Sequence, residues 1–398
     1  MKGEATVLDA ERQKLARRYA RVRRRLWVLE LVAAAVYLSL WASQGWAGSI
    51  RLAVQRAIHG ALFPEALPWW IELILVAASV GVPWFLLNLP LDFTSGYVLP
   101  HRFGLSTQTL RGWWSDLIKG GLLALGLGAP LLIALYAALR WAGPWWWLWA
   151  AGGYTLFTVV LATLAPVVLM PIFFKFRPLG DEHAELRQRL LQLAQRAGTH
   201  IEGVFTFDMS RRTRAANAAL TGLGKTRRII LGDTLISEFS VDEIETVLAH
   251  EMAHQVHKDI PLSIAIQSLA NLAQFYLVGV GLQWAAVRLP FSGPADPAGL
   301  PLLALFLGVV GLATMPASNA FSRWREALAD DFSLALTEKP QAFASAMTRL
   351  ANQNLAEADP ERWVVALLYS HPPLRDRIQK AERSARTCPP QRASAAAG

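Results

Sequence analysis

His250-Glu251-Met252-Ala253-His254 places two imidazoles four residues apart with a carboxylate between them. On a helix, positions i and i+4 share a face, so both rings can hold one metal ion. Glu251 sits about 100° round the helix from His250, which suits it to take a proton from a reacting water rather than to bind the ion. Upstream, Ser240 with Glu243 has capping-box spacing, and Ile244, Val247, Leu248 and Met252 are apolar at helical intervals. These signals predict a helix over 242–258 that buries one side and presents the histidines on another.

A catalytic zinc takes three protein ligands and leaves one position open, so two histidines require a partner. Ser322-Arg323-Trp324-Arg325-Glu326-Ala327-Leu328-Ala329-Asp330 follows an apolar run directly. A helix continuing out of the membrane there carries Glu326 and Asp330 on one face, four apart. Glu326 is the expected third ligand to one Zn²⁺ per chain. Asp330 is the expected acceptor for the free ring nitrogen of a ligand histidine, fixing its tautomer. The competing reading pairs both acids with Arg323 and Arg325 as a solvated helix face. His371, followed by Pro372 and Pro373, is the best candidate donor to a developing oxyanion. His257 and Asp259 read as capping or structural residues.

The surroundings of this helix are greasy. Of 398 residues, 53% are hydrophobic and 17% charged, which is a membrane-protein composition. Six stretches suffice to cross a hydrocarbon core, at about 20 residues per crossing: 26–43, 69–91, 117–139, 145–174, 260–287 and 300–320. Pro83, Pro130 and Pro166 are expected to kink their helices. Trp69-Trp70, Trp113-Trp114 and Trp145-Trp146-Trp147 mark ends of apolar runs, where indole rings favour the headgroup boundary. Residues 50–63 interleave Arg51, Arg56 and His59 with apolar positions, as an interfacial amphipathic helix does.

Net charge is +9, and Lys14, Arg17, Arg18, Arg21, Arg23, Arg24 and Arg25 crowd just before the first apolar run. That placement is a positive-inside signal and not a nucleic-acid patch, so no nucleic-acid partner is expected. It puts the N-terminus, the metal helix and the C-terminal region at the cytoplasmic face, and the Ala-, Arg- and Trp-rich composition looks bacterial, so the expected membrane is the inner one. The single cysteine, Cys388, excludes an intrachain disulfide and a cysteine metal cluster.

The resulting division has an N-terminal membrane region over 1–174, a cytoplasmic metalloprotease region over 175–259, two further spans over 260–322, C-terminal cytoplasmic helices over 323–383 and a disordered tail over 384–398. The soluble insertion is expected to open with a helix over 182–197. Short strands follow at 204–207 and 227–231, with another at 216–220 between them.

Several motifs fall together in a recognisable order. They are His101-x-Phe103-Gly104-Leu105-Ser106-x-Gln108-Thr109, Lys175-Phe176-x-Pro178-Leu179, Ser210-x-Arg212 with Asn217-Ala218 and Gly222, Ser322-Arg323-x-x-Glu326-x-x-x-Asp330, and His371-Pro372-Pro373-x-x-x-Arg377. With the histidine pair, this set resembles the type I CaaX prenyl protease family of integral-membrane zinc metalloproteases, related to the HtpX proteases. The resemblance implies a mostly α, polytopic bundle of six to seven spans around a chamber, with a cytoplasmic zincin-like domain holding a small β-sheet. It implies that Asn217 lies on an edge strand beside the substrate, that His371 and Arg377 line the site, and that Asn217 and Arg377 bind the substrate. Eukaryotic members are expected to have seven spans, against six counted here.

The function expected is a membrane-embedded zinc metalloendopeptidase acting on peptides or membrane-associated proteins, with or without a lipid. An HtpX-like quality-control protease and a non-catalytic zinc-containing membrane sensor are the alternatives.

Overall fold

The computed structural model describes residues 7–61, 68–222, 227–289 and 291–387. Among the described residues, six helical stretches are long and apolar enough to cross a membrane: Ala10–Ser43, Trp69–Arg102, Leu110–Trp141, Gly143–Phe173, Asp259–Ala286 and Pro297–Thr337. They contain α1 (Ala10–Ser43), α3 (Trp69–Phe93) with α4 (Leu99–Arg102), α5 (Leu110–Trp141), α6 (Trp146–Leu164) with α7 (Met170–Phe173), α11 (Asp259–Ala286) and α12 (Leu300–Thr337). A π-helical turn joins α3 to α4, and a second, holding Pro166, joins α6 to α7. Leu87, Leu122 and Leu156 are each 65% exposed, as side chains facing lipid should be. Inside the bundle α6 and α11 approach closely: a Cβ on Gly279 would lie 3.1 Å from the Trp146 ring. Gln267 donates to Asn271, Asn271 to Thr155 and Gln274 to the Leu307 carbonyl, so these amides are satisfied within the bundle.

The helix expected over 50–63 is α2 (Trp46–Ala61), and residues 62 and 63 lie outside the described residues. It packs on α3, and Arg51 reaches Asp296 at 2.5 Å and Glu72 at 3.5 Å. These ion pairs tie α2 to the bundle.

Between the fourth and fifth apolar stretches lies a small mixed sheet. Its strands are β1 (Phe176–Pro178), β2 (Gly203–Phe207), β3 (Ala218–Thr221) and β4 (Arg228–Gly232), in the order β1-β2-β4-β3. Strands β2 and β4 run parallel, and β1 and β3 pair antiparallel to them, so β3 is an edge. Three of the four were expected. The extra strand, β1, is three residues long and ends in proline, which an edge tolerates and a sequence pattern hides.

Helices α8 (Ala184–Arg196), α9 (Asp233–Glu238), α10 (Val241–Val256), α13 (Pro340–Gln353), α14 (Arg362–Leu368) and α15 (Leu374–Thr387) complete the fold. Leu186, Leu190 and Leu193 of α8 recur at helical spacing and are buried, as expected. They join Ile229 and Leu231 of β4, Ile244, Leu248 and Met252 of α10, and Phe343 and Met347 of α13 in one core. Ser240 caps α10 through a complete capping box with Glu243. Helix α15 runs to Thr387, into the stretch expected to be a tail, and residues 388–398 lie outside the described residues.

The soluble part is strapped to the bundle. Arg212 makes two 2.7 Å bonds to Asp116 at the start of α5, and Ser106 pairs with Thr213 in an antiparallel bridge.

Candidate metal centre

Helix α10 is wedged between the core and α12, and this packing decides where its polar residues go. Ala249, Met252 and Ala253 are fully buried against the core. His250 and His254 consequently turn to the other side, with ring centroids 5.0 Å apart and planes nearly perpendicular. Helix α12 runs unbroken from the apolar segment to Thr337, and it delivers Glu326 to both rings. Glu326 Oε2 lies 3.1 Å from His250 Nε2, and Glu326 Oε1 lies 3.6 Å from His254 Nε2. One ligand atom from each of His250, His254 and Glu326 falls within 4.8 Å of the others.

These spacings suit an ion. Ligands about 2.0–2.1 Å from a tetrahedral zinc lie about 3.3–3.4 Å from one another, close to both distances above. Glu326 Oε2 is buried without a hydrogen-bond partner, an expensive state for a carboxylate oxygen unless a cation supplies the missing interaction. Two imidazoles and a carboxylate also match the donor set of a catalytic zinc, so the residues present fit the group.

Each ring is braced on its far side. His250 Nδ1 lies 2.9 Å from Asp330 Oδ1, and His254 Nδ1 lies 2.7 Å from Asp259 Oδ2. Asp330, as expected, meets a histidine. Asp259, expected to be structural only, does the same for the second one, which corrects that reading. The turn between α10 and α11 puts it there: Lys258 takes a left-handed conformation, φ 54°, and the chain doubles back so that Asp259 faces His254.

Both carboxylates are held in turn by arginines. Arg325 donates to Asp259 through Nε and a terminal nitrogen. Arg377 forks onto Asp330 with bonds of 2.9 and 2.6 Å. Arg377 was expected to bind substrate; it borders the cavity, but its guanidinium is buried, bonded to Asp330 and 3.4 Å from His250 Nδ1, so it stands behind the His250 ring. Arg323 bonds the carbonyls of Val365 and Tyr369. Glu326 and Asp330 therefore do not form a solvated ion-paired face with Arg323 and Arg325.

A cavity of about 600 Å³ opens beside His250, lined by His250, Glu251, Asn217, Ala218, His371 and Arg377 among others. Glu251 is partly buried at its wall, and burial raises its pKa, with the flanking imidazoles opposing. His371 comes from the turn before α15, 58% exposed, with Nε2 3.4 Å from Glu326 Oε1. Its Nδ1 is 2.9 Å from Ser370 Oγ. Asn217 is exposed one residue before β3, and its carbonyl accepts from Gly232 N at 2.9 Å. Of the residues expected at the site, His250, Glu251, Asn217, His371 and Arg377 border the cavity, and His254, Glu326 and Asp330 adjoin it through His250. Burial disfavours the His250 imidazolium, but the Asp330 and Glu326 carboxylates outweigh it and lift the pKa of the metal-free ring to about 9.

Known proteins resemble this chain along most of its length. The family model for peptidase family M48 matches residues 181–385, and that for the CAAX prenyl protease N-terminal region, described as five membrane helices, matches residues 4–175. The metalloprotease YhfN of Bacillus subtilis (strain 168) is 34% identical over 303 residues, which cover 75% of this chain and 70% of that protein. CAAX prenyl protease 1 of Saccharomyces cerevisiae is 31% identical over 314 residues, covering 74% and 68%. The crystal structure of S. mikatae Ste24p superposes with a TM-score of 0.80 at 23% identity, over 96% of this chain and 92% of that one, which shows a shared fold.

Proposed function

The chain belongs to peptidase family M48 and is a multi-pass membrane metalloprotease; we propose that its ion is Zn²⁺, one per chain, held by His250, His254 and Glu326. The observation that carries this reading is the convergence of those three side chains with a braced nitrogen on the far side of each imidazole. When bound, the ion polarises the scissile carbonyl and acidifies water to a pKa near ~7.

The chain's own residues do the rest. Glu251 takes the proton from the attacking water and passes it to the leaving amine; its raised pKa makes it a stronger base than an exposed glutamate. Asp330 and Asp259 keep both rings protonated at Nδ1, so that the Nε2 lone pairs face the ion. Arg377 holds Asp330 in its ionised, correctly turned state. His371 donates to the carbonyl oxygen as negative charge builds on it. The outer edge of β3, which begins one residue after Asn217, receives the extended main chain by backbone hydrogen bonds.

The substrate is a peptide or membrane-associated protein met at the cytoplasmic face of the inner membrane, an orientation supported by the basic run from Lys14 to Arg25. It extends to lipid-modified C-termini, since relatives bear the name CAAX prenyl protease 1. The test is Glu251→Gln in the full-length protein. Peptide cleavage should drop by at least about 10²-fold while one equivalent of Zn²⁺ stays bound, measured by elemental analysis. Undiminished cleavage rejects the mechanism.

A further inference from the structure

The strand bordering the cavity has an outer edge that is already filled over part of its length. In an antiparallel pair, alternate residues turn both backbone groups toward the partner, and the residues between turn theirs away. Gly232 N donates to Asn217 O, so Asn217, Ala219 and Thr221 face β4, while Ala216, Ala218 and Leu220 face outward.

Upstream, the outward groups are taken. Arg212 O accepts from Thr107 N at 3.1 Å and Arg214 N donates to Leu105 O at 2.9 Å, while Arg214 O accepts from Gln353 Nε2 at 2.7 Å. At Ala216 a single side chain fills both positions: Asn354 Oδ1 accepts from Ala216 N at 2.8 Å, and Asn354 Nδ2 donates to Ala216 O at 3.2 Å. Among the described residues no hydrogen bond reaches the outward groups of Ala218 or Leu220.

The turn carrying Asn354 is held against its own preference. Asn354 ends α13, and Leu355 follows with φ 46°, a left-handed conformation natural to glycine and unfavourable to leucine. Leu355 is nonetheless 5% exposed, packed against Ala16 of α1 and Leu105. A membrane helix and the segment after α4 thus clamp the carboxamide in place.

We propose that Asn354 is a positioning residue that ends the substrate edge: an extended peptide pairs with β3 only at Ala218 and Leu220, and pairing stops where the Asn354 carboxamide stands in for a strand. This rests on the reading that peptides are cut in the cavity beside β3. It goes further by stating how much of the chain is gripped and what sets the limit.

The experiment uses full-length, Zn²⁺-loaded protein in detergent and quenched fluorescent peptides lengthened one residue at a time from either end. With the wild type, KM stops falling once two edge pairs can form. In Asn354→Ala the Ala216 groups become available. KM for the longest peptide should then fall about threefold to tenfold, with kcat unchanged and the shortest peptide unaffected. A shift common to short and long peptides, or none for the long one, overturns the proposal.

Should Asn354→Ala not fold, N-methyl scanning of one long peptide on the wild type decides. Two alternate N-methyl groups should each raise KM about tenfold, and a third, aligned with Ala216, should not; a third sensitive position overturns the proposal. A wild type that cleaves none of the peptides overturns the functional reading and this inference with it. Cleavage without the length pattern overturns this inference alone.

Discussion

Asp259 stands five residues beyond His254, on the next helix, and accepts a 2.7 Å hydrogen bond from that histidine's Nδ1. Arg325, one residue before Glu326, grips the same carboxylate. Asp259 therefore joins α10 to α12 behind the His254 ring.

Removing that joint should weaken the metal without removing a ligand. Asp259→Asn is expected to lower Zn²⁺ affinity about 10- to 100-fold, measured by competition with a chelating dye. An affinity equal to the wild type would mean that the His254 ring is oriented by something else.

Asp330 and Arg377 should behave as one unit, because the fork of two bonds loses its meaning when either end is changed. Arg377→Lys and Asp330→Asn should each reduce Zn²⁺ affinity, and the double variant should lose little more than the worse single one. Strictly additive losses in a double-mutant cycle would show that the two act separately.

The raised pKa of His250 predicts opposite pH trends for metal-free and metal-loaded protein. Folding lifts this group from its ordinary 6.5 to about 9, so its stabilising contribution is complete below 6.5 and fades as pH rises through about 9. The metal-free Tm should decline across that window. Zn²⁺ binding must displace this proton, so affinity should strengthen by up to about tenfold per pH unit until near 9. Calorimetry in buffers of different ionisation enthalpy counts the proton released, and a count of zero at pH 7.5 contradicts the assignment.

The Arg212–Asp116 pair is mostly buried and doubly bonded, and it links the sheet region to α5. Asp116→Asn should cost about 1–3 kcal/mol, seen as a lower Tm in detergent with Zn²⁺ affinity unchanged. An unaltered Tm would mean that the hydrogen bonds between residues 105–107 and 210–214 carry the connection without this ion pair.

Much of the site was readable from spacing because its residues obey a local rule. His250 and His254, like Glu326 and Asp330, are four apart on uninterrupted helices, so helical geometry alone puts each pair on one face. Asp259 was not readable in this way. Its role depends on a left-handed turn at Lys258 and on a guanidinium from α12, neither of which leaves a periodic trace. Arg377 was found as a neighbour of the site, but its partner is 47 positions away and only the packing of α15 against the core reveals it. The six apolar helices were legible because lipid demands long, nearly uncharged runs. Strand β1 and the ion pairs fixing α2 were not, since a three-residue edge and a contact between distant segments carry no pattern in the chain itself.

Helix α12 enters the site as the far end of a 38-residue rod whose other end lies among the apolar segments. A genetically trimmed fragment that keeps α10 but stops before residue 300 would retain both imidazoles and the general base, yet lack the carboxylate that completes the set. Any cut that removes the whole of α12 therefore takes away an acidic donor together with an anchor, because one helix carries both.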